Sequence, residues 1–167
     1  MGESRSAAKR SAWGPYGQSI DGARSFSDGA ANTTAMAAAG STLAAWAQAL
    51  QINDHSDWYL PARDELELLY RHLKPTTETN YGYRSGENPS SLPQASYPYT
   101  DDAPAQTSAA AFQDGGDEAM EDAWYWSSTQ YSAHLAWGQG FGGGIQNDYD
   151  KSYEGRARAV RRFKLNP

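Results

Sequence analysis

Between Trp137 and Gly142 large residues alternate with glycines: Trp137, Gln139 and Phe141 against Gly138, Gly140 and Gly142. In an extended strand successive side chains point to opposite faces, so this run sends every large residue one way and leaves the other face bare. The run therefore reads as a strand. The rest of the composition fits a loop-rich protein. There are 16 glycines and 8 prolines, the residues that punctuate turns. The 39% apolar fraction leans on Ala, Trp and Tyr rather than Ile and Val, which predicts a core of a few aromatic anchors among small residues.

Helical spacing occurs in two places. Met36, Ala39, Leu43, Trp46 or Ala47, and Leu50 follow it, with Asn32 placed to cap the first turn and Gly40-Ser41 placed to kink the element. Leu66, Leu69, Tyr70 and Leu73 follow it more strictly. Asp64 and Glu65 open that helix and Arg71, His72 and Lys74 close it, as the helix dipole favours, and Pro61 and Pro75 bound it. Trp13 to Ile20 reads as a short interrupted strand, residues 75–122 as a long excursion with little regular structure, and the chain from Trp124 as strands, the last anchored by Val160 and Phe163. The 167 residues suit one domain over 12–167, preceded by a small, polar, basic stretch at 1–11 expected to be a flexible leader.

The net charge of −6 opposes a duplex-binding surface. The basic tail, Arg156, Arg158, Arg161, Arg162 and Lys164, is the exception; strand spacing puts Arg156, Arg158 and Val160 on one face and Ala157, Ala159 and Arg161 on the other, which suits edge charge and salt bridging. With no cysteine, disulfides, thiolate metal sites and cysteine nucleophiles are all excluded. No apolar run reaches membrane-spanning length and MGESRSAAKRSAW is not followed by an apolar stretch, so neither membrane insertion nor a secretory signal is expected. His55, His72 and His134 are too dispersed for a metal site, and Ser127, Ser128 and Thr129 have no His or acid in a triad context. Asp101-Asp102 is a poor glycosidase pair, since sequence neighbours diverge in a strand. The expectation is therefore a non-enzymatic protein.

Three segments in order, DGAANT at 28–33, DWYLPARDEL at 57–66, and YWSST at 125–129 followed by RARAVRRF at 156–163, resemble the family of the C-terminal domain of the collagen-like adhesin Lcl, bacterial and phage domains with a C-type-lectin-like fold. The resemblance implies an α+β architecture, two helices flanking a small antiparallel sheet, with adjacent termini and a loop-rich ligand-binding face. Trp58 and Leu60 are expected in the core, Trp126 likewise, and Asp57 is expected to satisfy nearby backbone donors. The calcium-dependent lectins of this fold carry a Glu-Pro-Asn or Gln-Pro-Asp loop. Here Glu87-Asn88-Pro89 has another order, so no cofactor is expected; Asp114, Asp117, Glu118, Glu121 and Asp122, and separately Asp148 and Asp150, suit either a solvated acidic surface or oxygen ligands to calcium.

Some proteins resembling this family are variable proteins of diversity-generating retroelements, in which adenines of chosen codons are randomised. An AAC or AAT codon treated so never yields Trp, Gln, Lys, Glu or Met. His134, Leu135, Gly138, Gly140, Gly142, Gly143, Ile145, Asn147, Asp148, Tyr149, Asp150, Ser152, Tyr153 and Gly155 all lie in the permitted set, while the interspersed Trp137, Gln139, Gln146, Lys151 and Glu154 do not. These positions read either as display residues on a fixed frame or, for the glycines, as tight turns and close backbone approaches. The predicted ligand-binding set is Tyr131, His134, Leu135, Gly138, Gly140, Gly142, Ile145, Asn147, Asp148, Tyr149, Asp150 and Tyr153, with Tyr131, His134, Tyr149 and Tyr153 as aromatic anchors. The expected partner is a host-cell surface protein or glycan, with a phage tail or another surface protein attached through the N-terminus; the expected setting is a virion or bacterial surface, and the alternative is a structural assembly module.

Overall fold

The computed structural model describes residues 8–81, 87–91, 94–96 and 99–163. In chain order its elements are β1 (Ala8–Ser11), α1 (Gly29–Ala38), α2 (Thr42–Ala49), α3 (Arg63–Leu73), β2 (Glu87–Asn88), β3 (Ala95–Ser96), β4 (Trp124–Gln130), β5 (Leu135–Gly140), β6 (Gln146–Asp150) and β7 (Gly155–Arg158). Five strands form one sheet in the order β1-β7-β4-β5-β6, and β2 pairs with β3 apart from it. The fold is α+β, as expected. The sheet is mixed rather than purely antiparallel, because β7 returns beside β4 in the same direction.

The expected helix from Asn32 to Leu50 is two helices. Gly40 takes a φ of +94°, a left-handed conformation that ends α1, and Ser41 restarts the chain by accepting from the Ala44 N–H at 3.3 Å while its hydroxyl donates to the Trp13 carbonyl at 2.6 Å. Asp28, not Asn32, caps α1, accepting from the Ala31 N–H at 3.1 Å. Asn32 lies one turn inside, fully buried, its carboxamide accepting from the Ser25 N–H and donating to the Ser25 carbonyl. α3 begins and ends where its flanking prolines and charges place it. Its Glu65 carboxylate accepts from the N–H groups of Ala62 and Gly29, tying the start of α3 to the start of α1.

Two cores result. Trp13, Met36, Leu43, Leu60, Trp126 and Ala136 pack α1 and α2 against the sheet, and Leu66, Tyr70, Tyr99, Met120, Tyr125 and Phe141 join α3 to it. Tyr99 and Met120 come from the excursion, so that stretch, poor in regular structure among its described residues, completes the second core. Trp13 to Ile20 is not a strand: Trp13 and Ile20 face inward, but Gly14, Pro15 and Gly17 deny the backbone a ladder. Part of the expected flexible leader is sheet, since Ala8–Ser11 pair with Arg158–Gly155 and bring the described ends of the chain together. Residues 1–7 lie outside the described residues.

The tail alternates as its spacing implies. Ala157 and Ala159 are buried, while Arg156 pairs with Glu121 and Arg158 with Glu118. Beyond β7, Tyr59 and Val160 exchange backbone hydrogen bonds at 2.9 and 2.8 Å, and the Asp57 carboxylate takes two bonds from Arg161, at 2.6 and 3.0 Å, in addition to the backbone donor expected of it. Arg161 holds the Asp57 carboxyl below its ordinary range. Phe163 anchors nothing, being 70% exposed. Trp58 is half-buried, its indole N–H donating to the His55 carbonyl at 3.0 Å, whereas Leu60 is fully enclosed.

Candidate ligand-binding face

Strand alternation divides the β5–β6 hairpin into two sides. Trp137 pairs with Asp148 and Gln139 with Gln146, and these look towards α3: the Gln139 carboxamide donates to Glu67 at 2.6 Å and that of Gln146 to the Arg63 carbonyl at 2.9 Å. Gly138 pairs with Asn147 and Ala136 with Tyr149 on the other side, where Trp124 and Trp126 stand opposite Gly140 and Gly138. The predicted set is thus split. Ile145, Asn147, Tyr149 and Tyr153 share the glycine side with Gly138 and Gly140; Leu135, Asp148 and Asp150 belong to the other; His134 sits in the β4–β5 turn against the Tyr16 ring, centroids 4.8 Å apart.

The glycine side is not bare. The Trp124 indole lies on Gly138, where a Cβ would come within 2.5 Å of its Nε1, and the Trp126 indole covers Gly155 in the same way, at 2.7 Å. Gly138 is buried, so it is a seat for a ring rather than a display position. Gly142 is likewise a seat, its open side filled by the Asp122 carboxylate, and Tyr81 covers Gly143. Gly140 leaves room, with Ile145 Cγ2 at 3.4 Å from where a Cβ would stand.

Four rings run across this side in sequence. Trp124 and Tyr149 have centroids 5.1 Å apart, Tyr149 and Tyr153 5.3 Å, and Tyr153 and Trp126 6.4 Å. Ring pairs at these separations and tilts attract beyond their buried area. Tyr149 is 47% and Tyr153 43% exposed, so the two tyrosines are flanked by the two tryptophans and offered to solvent. Asp150 builds the turn between them. It accepts from the Ser152 N–H at 2.8 Å and hydroxyl at 2.6 Å, which holds its carboxyl below the ordinary range. Beside the row opens a cleft of about 740 Å³, lined by Tyr81, Asp122, Trp124, Gly140, Gly143 and Ile145, with Glu78 at its margin.

The opposite side carries a smaller aromatic group. The Arg63 guanidinium stacks on Phe26 at 3.8 Å and lies 5.2 Å from the Trp137 ring, which Tyr131 meets edge-on at 5.4 Å. Sequence reading included Tyr131 but missed Phe26, Arg63, Trp124, Tyr81 and Asp122. The last three had a signal: each glycine of the run implies a large neighbour from another segment. The YWSST hydroxyls serve the backbone. Ser127 donates to the Trp137 carbonyl at 2.8 Å, and Thr129 donates to the Ser25 carbonyl at 2.8 Å while accepting from the Arg63 N–H at 2.9 Å.

Lys151 supports the turn from below. Fully buried, its ammonium donates to the Gln18 carbonyl at 2.9 Å and to Gln130 Oε1 at 2.7 Å and lies 4.7 Å from the Trp13 ring centre, with no carboxylate among these partners. Burial, aided by Arg24, lowers its pKa to about 8. The unfolded lysine, near its ordinary value of about 10.4, keeps its proton through a range in which the folded one has lost it. Stability therefore carries a cost below pH 8 that is relieved as pH rises from about 8 to about 10, by up to about 3 kcal/mol. Tyr59, raised to about 12 chiefly by burial, works the other way above pH 10. Denaturant unfolding from pH 7 to 10 should show stability rising in the wild type, and Lys151→Met should remove most of that slope; an equal slope in both would reject the assignment.

Among the described residues no group of three or more His, Cys, Asp or Glu gathers as metal ligands, and no helix is long and apolar enough to cross a membrane. The architecture defines an α+β domain with one mixed sheet, one side of which bears a supported row of rings beside an open cleft. The sequence model of the Lcl C-terminal domain matches residues 9–161, and the chain belongs to that family. No curated protein and no solved structure matches it.

Proposed function

We propose that the chain is a non-enzymatic ligand-binding domain of C-type-lectin-like type, serving as a receptor-binding or adhesion module of a phage tail or bacterial surface and recognising a host-surface protein or glycan. The observation that carries this reading is the ring row: two half-exposed tyrosines, each backed by a tryptophan, project from a strand and its tight turn. Rigid aromatic rings give contact area at low entropy cost, and Asn147 beside them supplies adaptable hydrogen bonds. Membership of the Lcl C-terminal domain family supports the surface setting. The first described residue, Ala8, pairs with Arg158, at the end of β7 away from Gly155 and Tyr153, so a tether entering there would leave Tyr149 and Tyr153 free.

A permanent assembly interface would present a contiguous apolar patch. Instead, of the eight large exposed hydrophobics among the described residues, five are tyrosines, at 16, 81, 131, 149 and 153. Tyrosines, each with a polar hydroxyl, rather than aliphatic side chains dominate the exposed apolar surface, which favours reversible recognition. Within it, Ile145, Asn147, Tyr149 and Tyr153 are the positions that can vary without disturbing the frame, and retroelement diversification would fall on them and spare Gly138. The gene's codons test this: AAC-derivable codons at the four, beside a template repeat, support it.

Binding to host cells and to an array of surface glycans should fall at least tenfold in a folded Asn147→Ala/Tyr149→Ala/Tyr153→Ala variant, because central aromatic anchors each carry about 2 kcal/mol or more. A Tyr131→Ala/Asp148→Ala variant should bind nearly as the wild type. Loss confined to the second variant would move the site to the α3 side.

A further inference from the structure

The cleft beside the ring row points to the chemistry of what binds there. Two of its lining residues are carboxylates, Asp122 and Glu78, and among the described residues no Lys or Arg lines it. Neither side-chain carboxylate makes a hydrogen bond or close ion pair among the described residues, in contrast to Glu65, Glu67, Glu118 and Glu121, which all hold an arginine, although the buried Lys74 ammonium, which donates to the Glu78 carbonyl, attracts Glu78 from behind the cleft. Asp122 is held in place nonetheless. Its carboxylate fills the space over Gly142, and Tyr81, 58% exposed, fills the adjacent space over Gly143, with the Tyr81 N–H donating to the Gly143 carbonyl at 2.9 Å. Trp124 forms the wall towards the ring row. Its Nε1 edge sits over Gly138, which is not among the cleft's lining residues, and its Cε3 edge lies nearest Gly140, which is.

Open aromatic surface next to unpaired carboxylates attracts organic cations, by ring quadrupole and by charge together. It repels anions, and the chain's net charge of −6 adds to both effects at longer range. A bare metal ion is a poorer match, since a hard divalent cation wants six or more oxygens and no three ligating side chains converge among the described residues. The volume, about 740 Å³, is that of a pocket for one extended side chain and its neighbours rather than for an ion.

The geometry points to this cleft as a receptor for a basic side chain, arginine or lysine, of a protein ligand whose remaining contacts fall on Tyr149 and Tyr153. The inference rests on the ligand-binding reading of the same side of the sheet, and adds the partner's class: a protein with an exposed basic residue, not an acidic or sulfated polysaccharide. A protein is favoured over an amino sugar because the cleft opens beside two exposed, mutually tilted tyrosines, the kind of surface that meets protein backbone and side chains.

The test uses the full chain labelled with ¹⁵N and titrated with three probes: capped Gly-Arg-Gly, capped Gly-Lys-Gly and glucosamine oligomers. The basic peptides should give saturable shifts at the Trp124 indole N–H and the amides of Gly142 and Gly143, with a Kd on the order of 1 mM. Asp122→Asn/Glu78→Gln, which keeps shape and removes charge, should weaken this about tenfold, and added salt should weaken the wild type in the same direction. No saturable shift, shifts indifferent to the neutralised pair, or shifts with glucosamine oligomers alone would each overturn the inference. The two readings fail separately. If host-surface binding falls in Tyr149→Ala/Tyr153→Ala but persists in Asp122→Asn/Glu78→Gln, the face stands and the basic-residue cleft falls; if neither variant loses it, the face falls as well.

Discussion

Glu67→Ala is expected to destabilise the domain by about 3–5 kcal/mol, the range found when one member of a buried charged cluster is removed. Glu67 lies on α3 with no exposed surface. Its carboxylate accepts from Arg71 Nε at 3.1 Å, from the Tyr99 hydroxyl, and from Gln139 Nε2 at 2.6 Å. Those donors belong to the helix itself, to the excursion and to β5, so one carboxylate joins three parts of the chain that no strand ladder connects. Alanine would leave a guanidinium and two neutral donors without this acceptor, and Arg71, its side chain only 16% exposed and stacked 5.1 Å over the Tyr99 ring, would be largely withdrawn from water. Glu67→Gln keeps the volume but points an amide N–H₂ at donors, and should cost about 1–3 kcal/mol. Urea unfolding checks both through the midpoint, with an unchanged slope. At this chain length a 3 to 5 kcal/mol loss corresponds to a melting temperature lower by about 10 °C. A loss below about 1 kcal/mol would show that the cluster contributes no net stability.

What could be read in the sequence was local. α3 is legible because its apolar spacing, its end charges and its two bounding prolines all act within the helix's own length. The tail's alternation is legible for the same reason, and the burial of Ala157 and Ala159 follows it. Gly40 and Ser41 were visible as a weak point, but whether they bend a helix or end it depends on a positive φ and on a hydroxyl bond to Trp13, a residue 28 positions away. Errors of site came from a different source. Gly138 permits two explanations, a display position or a seat for a ring, and the choice lies with Trp124, on another strand. The split of the predicted set was implicit in the alternation itself, since Asn147 and Asp148 cannot face the same way in a strand. β1 was hidden because its partner, β7, is about 150 residues distant, and an alanine followed by three polar residues has no local reason to extend. Tyr99 and Met120 gave no periodic signal in the excursion; their burial is decided by where α3 presents its apolar side.

Trp126→Ala and Trp124→Ala should separate stability from binding, although the two tryptophans are two residues apart on one strand. Trp126 is fully buried within the core of Trp13, Ala136 and Ala157, covers Gly155, and donates from Nε1 to the Ser11 carbonyl at 3.2 Å. Its truncation should cost about 3–5 kcal/mol, the cost typical of a large aromatic side chain removed from a core that can only partly collapse. It also removes the ring behind Tyr153 and the side-chain bond to β1, so amide exchange at Ala8–Ser11 should accelerate before global unfolding. Trp124 is half-buried, with one face on Gly138 and Tyr149 close by. Its loss exposes little core and should cost about 1–2 kcal/mol. Its effect on ligand should be larger, because Tyr149 loses the ring that orients it and the cleft loses a wall. The informative measurement is the pair: unfolding free energy and host-surface affinity for each variant under one buffer. Trp126→Ala should lie low in stability, and Trp124→Ala should bind at least tenfold more weakly while remaining folded, as expected for a ring at the centre of a contact surface. If Trp124→Ala binds like the wild type, the rings of the glycine side are packing alone, and the ligand must be sought around Phe26, Arg63, Tyr131 and Trp137 on the other side of the sheet.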